Sequence, residues 1–199
     1  MEYKEEKLIL KKLQNGEKEA FAEIYDIYSV RIFRFVYLKT GSKETAEDLT
    51  SEVFFKFWKY IELKNEAGNG KFVLNNSFSS FIYKIARNLI IDYYRKKKDY
   101  LIDIDEEKKD TIVDENQDIL ANLNKKEEIE DLKESLSYLK DDYQEILILR
   151  YVEDFSMGEI AEITGKKQGA LRVQIHRAVK SLEKVIVIRE NERNNSQPQ

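Results

Sequence analysis

Along the first hundred positions apolar residues recur every three or four places, the spacing of helices that bury one face. One such stretch begins over Leu8 to Leu13 and is interrupted by the polar NGEKEA, Asn15 to Ala20. The next, AFAEIYDIYSVRIFRFVYLKT, places Phe21, Ile24, Tyr28, Ile32, Phe35 and Val36 at helical spacing. Thr40-Gly41-Ser42 reads as a stop followed by a serine N-cap, with Glu44 in the first turn of a helix predicted over 43–62. A polar loop, LKNEAGNGKFVLNNS, separates it from another helix predicted over 78–98. The pattern resumes near the other end of the chain. There Leu136, Leu139, Tyr143, Ile146 and Leu147 share a helix face. Ser156 to Glu159 spells a Ser-x-x-Glu capping box, Gly165 closes a helix of barely two turns, and a third helix starts near Gln168. A short helix, a glycine turn and a longer amphipathic helix make a helix-turn-helix pattern.

Composition supports an all-α chain: one Pro and 7 Gly in 199 residues leave few breakers. Charge then divides it. Between Asp99 and Glu134 stand 14 acidic residues against 5 lysines, a net −9, while the whole chain is only −4, so the remainder carries +5. The predicted organisation is therefore two small helical domains, 1–98 and 129–190, joined by an acidic flexible linker at 99–128 and followed by a disordered tail at 191–199. With no Cys and a single His, thiolate metal sites, disulfides and His-based triads are excluded, and neither cofactor nor metal is expected. The charged N-terminus lacks the apolar core of a signal peptide, and no apolar run approaches the roughly 18 residues of a membrane span. A cytoplasmic protein without membrane insertion is expected.

Three surfaces carry candidate chemistry. On the helix over 43–62, Ala46, Leu49, Val53, Phe57, Tyr60 and Ile61 cluster on one side, and Asp48, Ser51, Glu52 and Lys59 on the other, with Phe55 in the middle of the polar side. A phenylalanine ringed by carboxylates fits a protein-binding hot spot; a phenylalanine covered by a neighbouring loop is the alternative. On the helix over 78–98, Phe81, Ile82, Ile85, Ala86 and Leu89 form the expected buried side. The remaining arc holds Tyr83, Lys84, Arg87, Asn88, Tyr94 and Arg95, leading into Arg95-Lys96-Lys97-Lys98. Cations interleaved with aromatics suit single-stranded nucleic acid, because rings stack on bases while cations track phosphates. A basic helix end favoured by the macrodipole explains Arg95 to Lys98 equally well. On the last helix, Leu171, Ile175, Ala178 and Leu182 form an inner stripe, opposite Gly169, Arg172, Val173, His176 and Lys180, with Arg177 at the margin. That outer face mixes donors with small and apolar groups, as a major-groove reader needs. Lys166, Lys167, Arg177 and Lys180 are placed to neutralise phosphates. A solvated basic face on an ordinary helical hairpin is the competing account.

Four segments together resemble bacterial sigma factors of the sigma-70 family. AEDLTSEVFFKFWKYI, Ala46 to Ile61, resembles their AEDLxQExF motif, and FIYKIARNLIIDYYRKK, Phe81 to Lys97, their WLYRIARNxxxDxxRR segment. EIAEITGKKQGALRVQIHRAVKSL resembles EIAxxLGxSxGTVKSRLxRARxxL, and GEKEAFAEIYDIY resembles the GDxxAFxxLYxxY opening. Order, spacing and small size resemble the extracytoplasmic-function group. The resemblance implies that Asp48, Ser51, Glu52, Phe55 and Lys59 dock on core RNA polymerase. It implies that the loop Leu74 to Ser77 and the helix after it capture the melted minus-ten strand, with Asn75, Asn76 and Tyr83 for base recognition and Lys84, Arg87, Asn88, Tyr94 and Arg95 beside them. The helix-turn-helix would read the minus-35 duplex through Lys166, Lys167, Gln168, Gly169, Arg172, Val173, His176, Arg177 and Lys180. Core RNA polymerase and promoter DNA are the implied partners, and an anti-sigma protein covering Phe55 is a further candidate. Phe81 stands where the family usually has Trp, and Ser51 where it usually has Gln; the loop Lys64 to Ser77 is longer than usual. ALRVQIHRA departs from the common VKSRLHRA, so promoter specificity does not carry over.

Two other readings compete with this resemblance. A free-standing helix-turn-helix regulator would bind an operator without polymerase, but it leaves the aromatic and Tyr/Arg helices unexplained. An enzyme would need fixed geometry that the carboxylates of IDIDEEKKD, inside the linker, do not provide.

Overall fold

The computed structural model describes residues 3–15, 17–66, 77–102 and 126–195, and all regular structure among them is helical. The chain divides into two units, Met1–Asp114 and Glu115–Gln199. The first contains α1 (Tyr3–Gln14), α2 (Glu19–Thr40), α3 (Lys43–Glu66) and α4 (Phe78–Ile102). The second contains α5 (Lys126–Ser137), α6 (Asp141–Leu147), a π-helical turn (Ile148–Val152), α7 (Met157–Thr164) and α8 (Gln168–Asn195). No described helix is long and apolar enough to cross a membrane.

In the first unit α2 is the central element. Its C-terminal half, from Ile32 to Lys39, is buried almost all round because α3 and α4 both pack on it. Gly41 ends α2 in the left-handed conformation (φ 72°) and donates its N–H to the Tyr37 carbonyl at 2.8 Å. Ser42 then accepts the Thr45 N–H at 3.2 Å, starting α3 where the sequence predicts. An aromatic cluster fills the centre: Phe57 lies 5.1 Å from Phe78 and 5.8 Å from Phe21, and Phe78 lies 5.0 Å from Tyr28, ring to ring. The α1 helix is tied on by polar contacts, Tyr28 to Glu6 and Lys12 to Glu23 at 2.9 Å. The Glu23 carboxylate, by hydrogen bond and charge, raises the Lys12 pKa.

The second unit departs from the predicted three helices. The first breaks at Tyr138–Lys140, where Leu139 N–H closes a turn onto Leu136 O and Gln144 Nε2 bridges back to the same carbonyl at 2.7 Å. Asp141 and Asp142 then occupy the first turn of α6, favourable beside its positive end. After α6 the helix widens: Glu153 N–H reaches five residues back to Ile148 O at 3.0 Å, and Asp154 turns the chain at φ 59°. Asp is among the few residues that adopt this region without glycine's freedom. Ser156 and Glu159 form the expected capping box, and Gly165 (φ 72°) ends α7. Elements also run longer than predicted, since no breaker stops them. Thus α3 reaches Glu66, α4 reaches Ile102 into the predicted linker, α5 begins at Lys126 within it, and α8 continues to Asn195 in place of a tail from 191. Arg189 holds this extension on α5 through Glu134 and the Asp131 carbonyl.

Candidate functional site

The outer face of α3 is built by helical rotation alone. Ala46, Val53, Phe57 and Ile61 are buried, and Phe54 joins them against Tyr25 at 4.7 Å. Asp48, Ser51, Glu52, Phe55 and Lys59 are all exposed. Phe55 keeps 55% of its surface open to water, which decides against the loop-covered reading. Lys59 Nζ lies 4.5 Å above its ring, while Glu52 pairs with Lys56 at 3.4 Å and Ser51 Oγ donates to the Glu47 carbonyl. Leu63, two turns beyond Phe55, is 66% exposed and was not singled out in the sequence; the i, i+4 series 55–59–63 is the signal that finds it. The result is an apolar strip edged by charges of both signs, suited to a protein partner that can desolvate the ring.

The α4 face differs from the expected one. Its buried stripe is Phe78, Ile82, Tyr83, Ala86, Leu89 and Ile90, turned relative to the predicted stripe, so Phe81 and Ile85 are only half-buried. Tyr83 is therefore a correction. It has no exposed surface, packs 5.2 Å from Phe35 with Arg31 at 5.9 Å, and offers no ring for a base. Lys84, Asn88 and Arg95 remain exposed on one stripe with Ile91, and Arg87 lies half-buried on its flank. Arg95 pairs with Asp92 at 3.0 Å. Tyr94 is partly exposed, and its hydroxyl donates to the Lys39 carbonyl at 2.6 Å, which leaves ring surface open but fixes its direction. Asn75 and Asn76 lie outside the described residues.

On α8, Leu171 and Ala178 are fully buried and Ile175 and Leu182 half-buried, as the inner stripe requires. Gln168, Gly169, Arg172, Val173, His176, Arg177 and Lys180 are exposed along the outer side, with Lys167 immediately before the helix. A Cβ added at Gly169 would meet nothing within 4 Å, so the protein's own packing does not demand a glycine there, and the position is open to an approaching ligand. Lys167 supplies the carbonyl that Leu171 N–H binds at 3.1 Å, but its ammonium has no acceptor with which to cap the helix. The first turn of α8 holds no acid, so no carboxylate of that turn offsets the helix's positive end. Lys166 behaves differently from Lys167. Its Nζ sits 3.2 Å from Asp142 Oδ1 and 3.3 Å from Gln174 Oε1. Among the described residues no group of three or more His, Asp or Glu is arranged to hold a metal.

The comparisons with known proteins fall on these same units. The family described as Sigma-70 region 2 matches residues 24–100, and Sigma-70, region 4 matches residues 129–182. The ECF RNA polymerase sigma factor SigW of Bacillus subtilis is 30% identical over 182 residues, covering 88% of this chain and 93% of its own. The ECF RNA polymerase sigma factor BldN of Streptomyces coelicolor is also 30% identical, over 89% of this chain and 64% of its own. Among solved structures, Bartonella quintana RpoE, determined with the anti-sigma factor NepR, shares the fold at TM-score 0.68 and 20% identity, over 84% of this chain and 97% of that one.

Proposed function

Because the chain belongs to the ECF sigma factors of the sigma-70 family, we propose that its three exposed surfaces divide the tasks of transcription initiation between them. The chain is an RNA polymerase sigma factor directing promoter recognition; how each surface serves that function is the proposal. Phe55, with Asp48, Ser51, Glu52, Lys59 and Leu63 around it, docks on core polymerase. The observation that carries this assignment is a large aromatic side chain, 55% exposed at the centre of an ordered helix face. Exposing it costs solvation, which burial against a partner recovers.

The α4 stripe of Lys84, Asn88 and Arg95, flanked by Arg87 and the Tyr94 ring, meets the separated minus-ten strand, cations on phosphates and Tyr94 as the stacking surface in place of the buried Tyr83. On α8, Arg172 and His176 face base edges with Val173 and Gly169 beside them, while Lys167, Arg177 and Lys180 meet phosphates of the minus-35 duplex and Gln168 lies at the helix entry. The chain works in the cytoplasm by binding and positioning, not as an enzyme. An anti-sigma protein that covers Phe55 and Leu63 would keep the free factor from polymerase, since both side chains would otherwise compete for any apolar partner.

The division of labour is testable on one promoter. In holoenzyme, Arg172→Ala is expected to weaken upstream duplex protection about tenfold, the scale of one base contact, while melted DNA, once bound, stays equally reactive to permanganate. Lys84→Ala with Arg95→Ala is expected to do the reverse, lowering permanganate reactivity while leaving the upstream footprint in place. Both variants losing both signals alike would contradict the assignment of separate surfaces.

A further inference from the structure

Lys166 stands in the turn of the helix-turn-helix, beside Lys167, and the two look interchangeable as phosphate contacts. Their surroundings are not alike. Lys167 is exposed, whereas the Lys166 side chain retains 30% of its surface and reaches two other elements. Its ammonium lies 3.2 Å from Asp142 Oδ1 at the start of α6 and donates to Gln174 Oε1, in the second turn of α8, at 3.3 Å. Gln174 closes the figure by donating its Nε2 to the Asp142 backbone carbonyl at 2.9 Å. The Lys166 backbone is itself fixed, its N–H donating to Thr164 Oγ1 at 3.3 Å, and that hydroxyl donating to the Ile160 carbonyl at 2.7 Å. Three elements, α6, the turn and α8, therefore meet at one polar knot.

From this knot we propose that Lys166 is a positioning residue: with Asp142 and Gln174 it sets the angle at which α8 leaves the turn, and it does not neutralise a phosphate. The proposal rests on the reading that α8 meets duplex DNA. The physical reason is geometric. The α7 helix is only eight residues long and packs α8 from one side. The other side of α8's first turns is held to α6 by side chains, and a small rotation about the turn swings Arg172 and His176 away from their bases. The Lys166 ammonium already gives two of its three N–H donors to a carboxylate and an amide oxygen, and Asp142 offsets its charge, so it has less to offer a phosphate than the Lys167 ammonium. Asp142, mostly exposed and negative, also repels a phosphate at that spot, which an intended phosphate contact would not tolerate.

The two roles separate in the salt dependence of binding. The probes are a duplex selected by wild-type holoenzyme from a random-sequence pool, and its scrambled counterpart. Lys167→Ala is expected to flatten the dependence of log affinity on log salt by about 0.9, one phosphate contact, with preference for the selected duplex kept. Lys166→Met, which preserves the aliphatic stem, is expected to leave that slope at the wild-type value and to reduce preference roughly tenfold, the scale of one lost base contact. Asp142→Asn should reduce it by a similar factor, and the double variant no further, because the two residues act as one unit. A slope flattened by about 0.9 in Lys166→Met with preference intact would overturn the proposal, as would additive losses in the double variant. If Lys167→Ala and Arg172→Ala both match wild type in slope and preference, the duplex-reading face itself is wrongly assigned, and the positioning role falls with it.

Discussion

Phe55→Ala is expected to weaken association with core RNA polymerase by about 30-fold or more, the roughly 2 kcal/mol that separates an interface anchor from its surroundings. Thermal unfolding should barely move. The ring is more than half exposed in the free chain, and its contact with Lys59 is an exposed cation–π pair worth about 0.5–1 kcal/mol. The expected effect is on the bound state, where burial of the whole ring in a partner pocket excludes water from a strip that Leu63 extends by two turns. Replacing Phe55 with Leu should recover part of the affinity, because area and apolarity are retained while the flat ring is lost. Titration of labelled factor with core polymerase reads these differences directly. An unchanged affinity for Phe55→Ala would place the docking surface elsewhere on the unit.

Two residues along the same helix, the expectation inverts. Phe57 has no exposed surface and stacks with Phe21 while meeting Phe78 and Phe81 at ring distances of 5.1 and 6.4 Å. It joins α2, α3 and α4 at their common centre. Phe57→Ala removes the ring and leaves a cavity whose walls are themselves rigid aromatics, so relaxation is limited and the cost should be about 3–5 kcal/mol. Total stabilities of small domains are about 5–15 kcal/mol, so the first unit should lose at least about 12 °C of its melting temperature. The helix-turn-helix unit has its own core around Leu136, Ile146, Ile148 and Leu171, and its transition should stay in place. Calorimetry of the full chain separates the two, and a shift confined to the second unit would contradict this account of the core. Together the pair of substitutions tests docking and folding on neighbouring positions of one helix.

What could be read from the sequence follows a physical division. Signals that act within four residues were legible: Gly41 and Gly165 as left-handed helix ends, Ser42 as a cap and the Ser156–Glu159 box all depend only on local backbone chemistry. The inner stripe of α8 was legible too, because the face opposite it, Gly169, Arg172, Val173, His176 and Lys180, is exposed. The buried side of α4 was misplaced because its direction is set by neighbours far away in sequence. Phe35 and Arg31 from α2 enclose Tyr83, while Tyr94, nearly in line with it three turns on, has passed the end of that packing and keeps exposed surface. No local rule distinguishes these two tyrosines. The break between α5 and α6 was hidden for a similar reason, since Gln144 secures it by reaching a carbonyl eight residues back. Lys166 looked like a twin of Lys167 because its partner Asp142 comes from another helix. Faces of isolated helices were thus readable, whereas side chains whose roles depend on a second element were not.

A sigma factor gives core polymerase its choice of start site. The most direct test is run-off transcription from a genomic fragment library, using core polymerase alone, the purified chain alone, and the two together. Transcripts with discrete 5′ ends, sharing an upstream sequence pair, are expected only when both are present. Core polymerase that initiates no differently with the chain added, while the chain alone binds duplex fragments tightly and selectively, would leave a polymerase-independent DNA-binding regulator in place of a sigma factor.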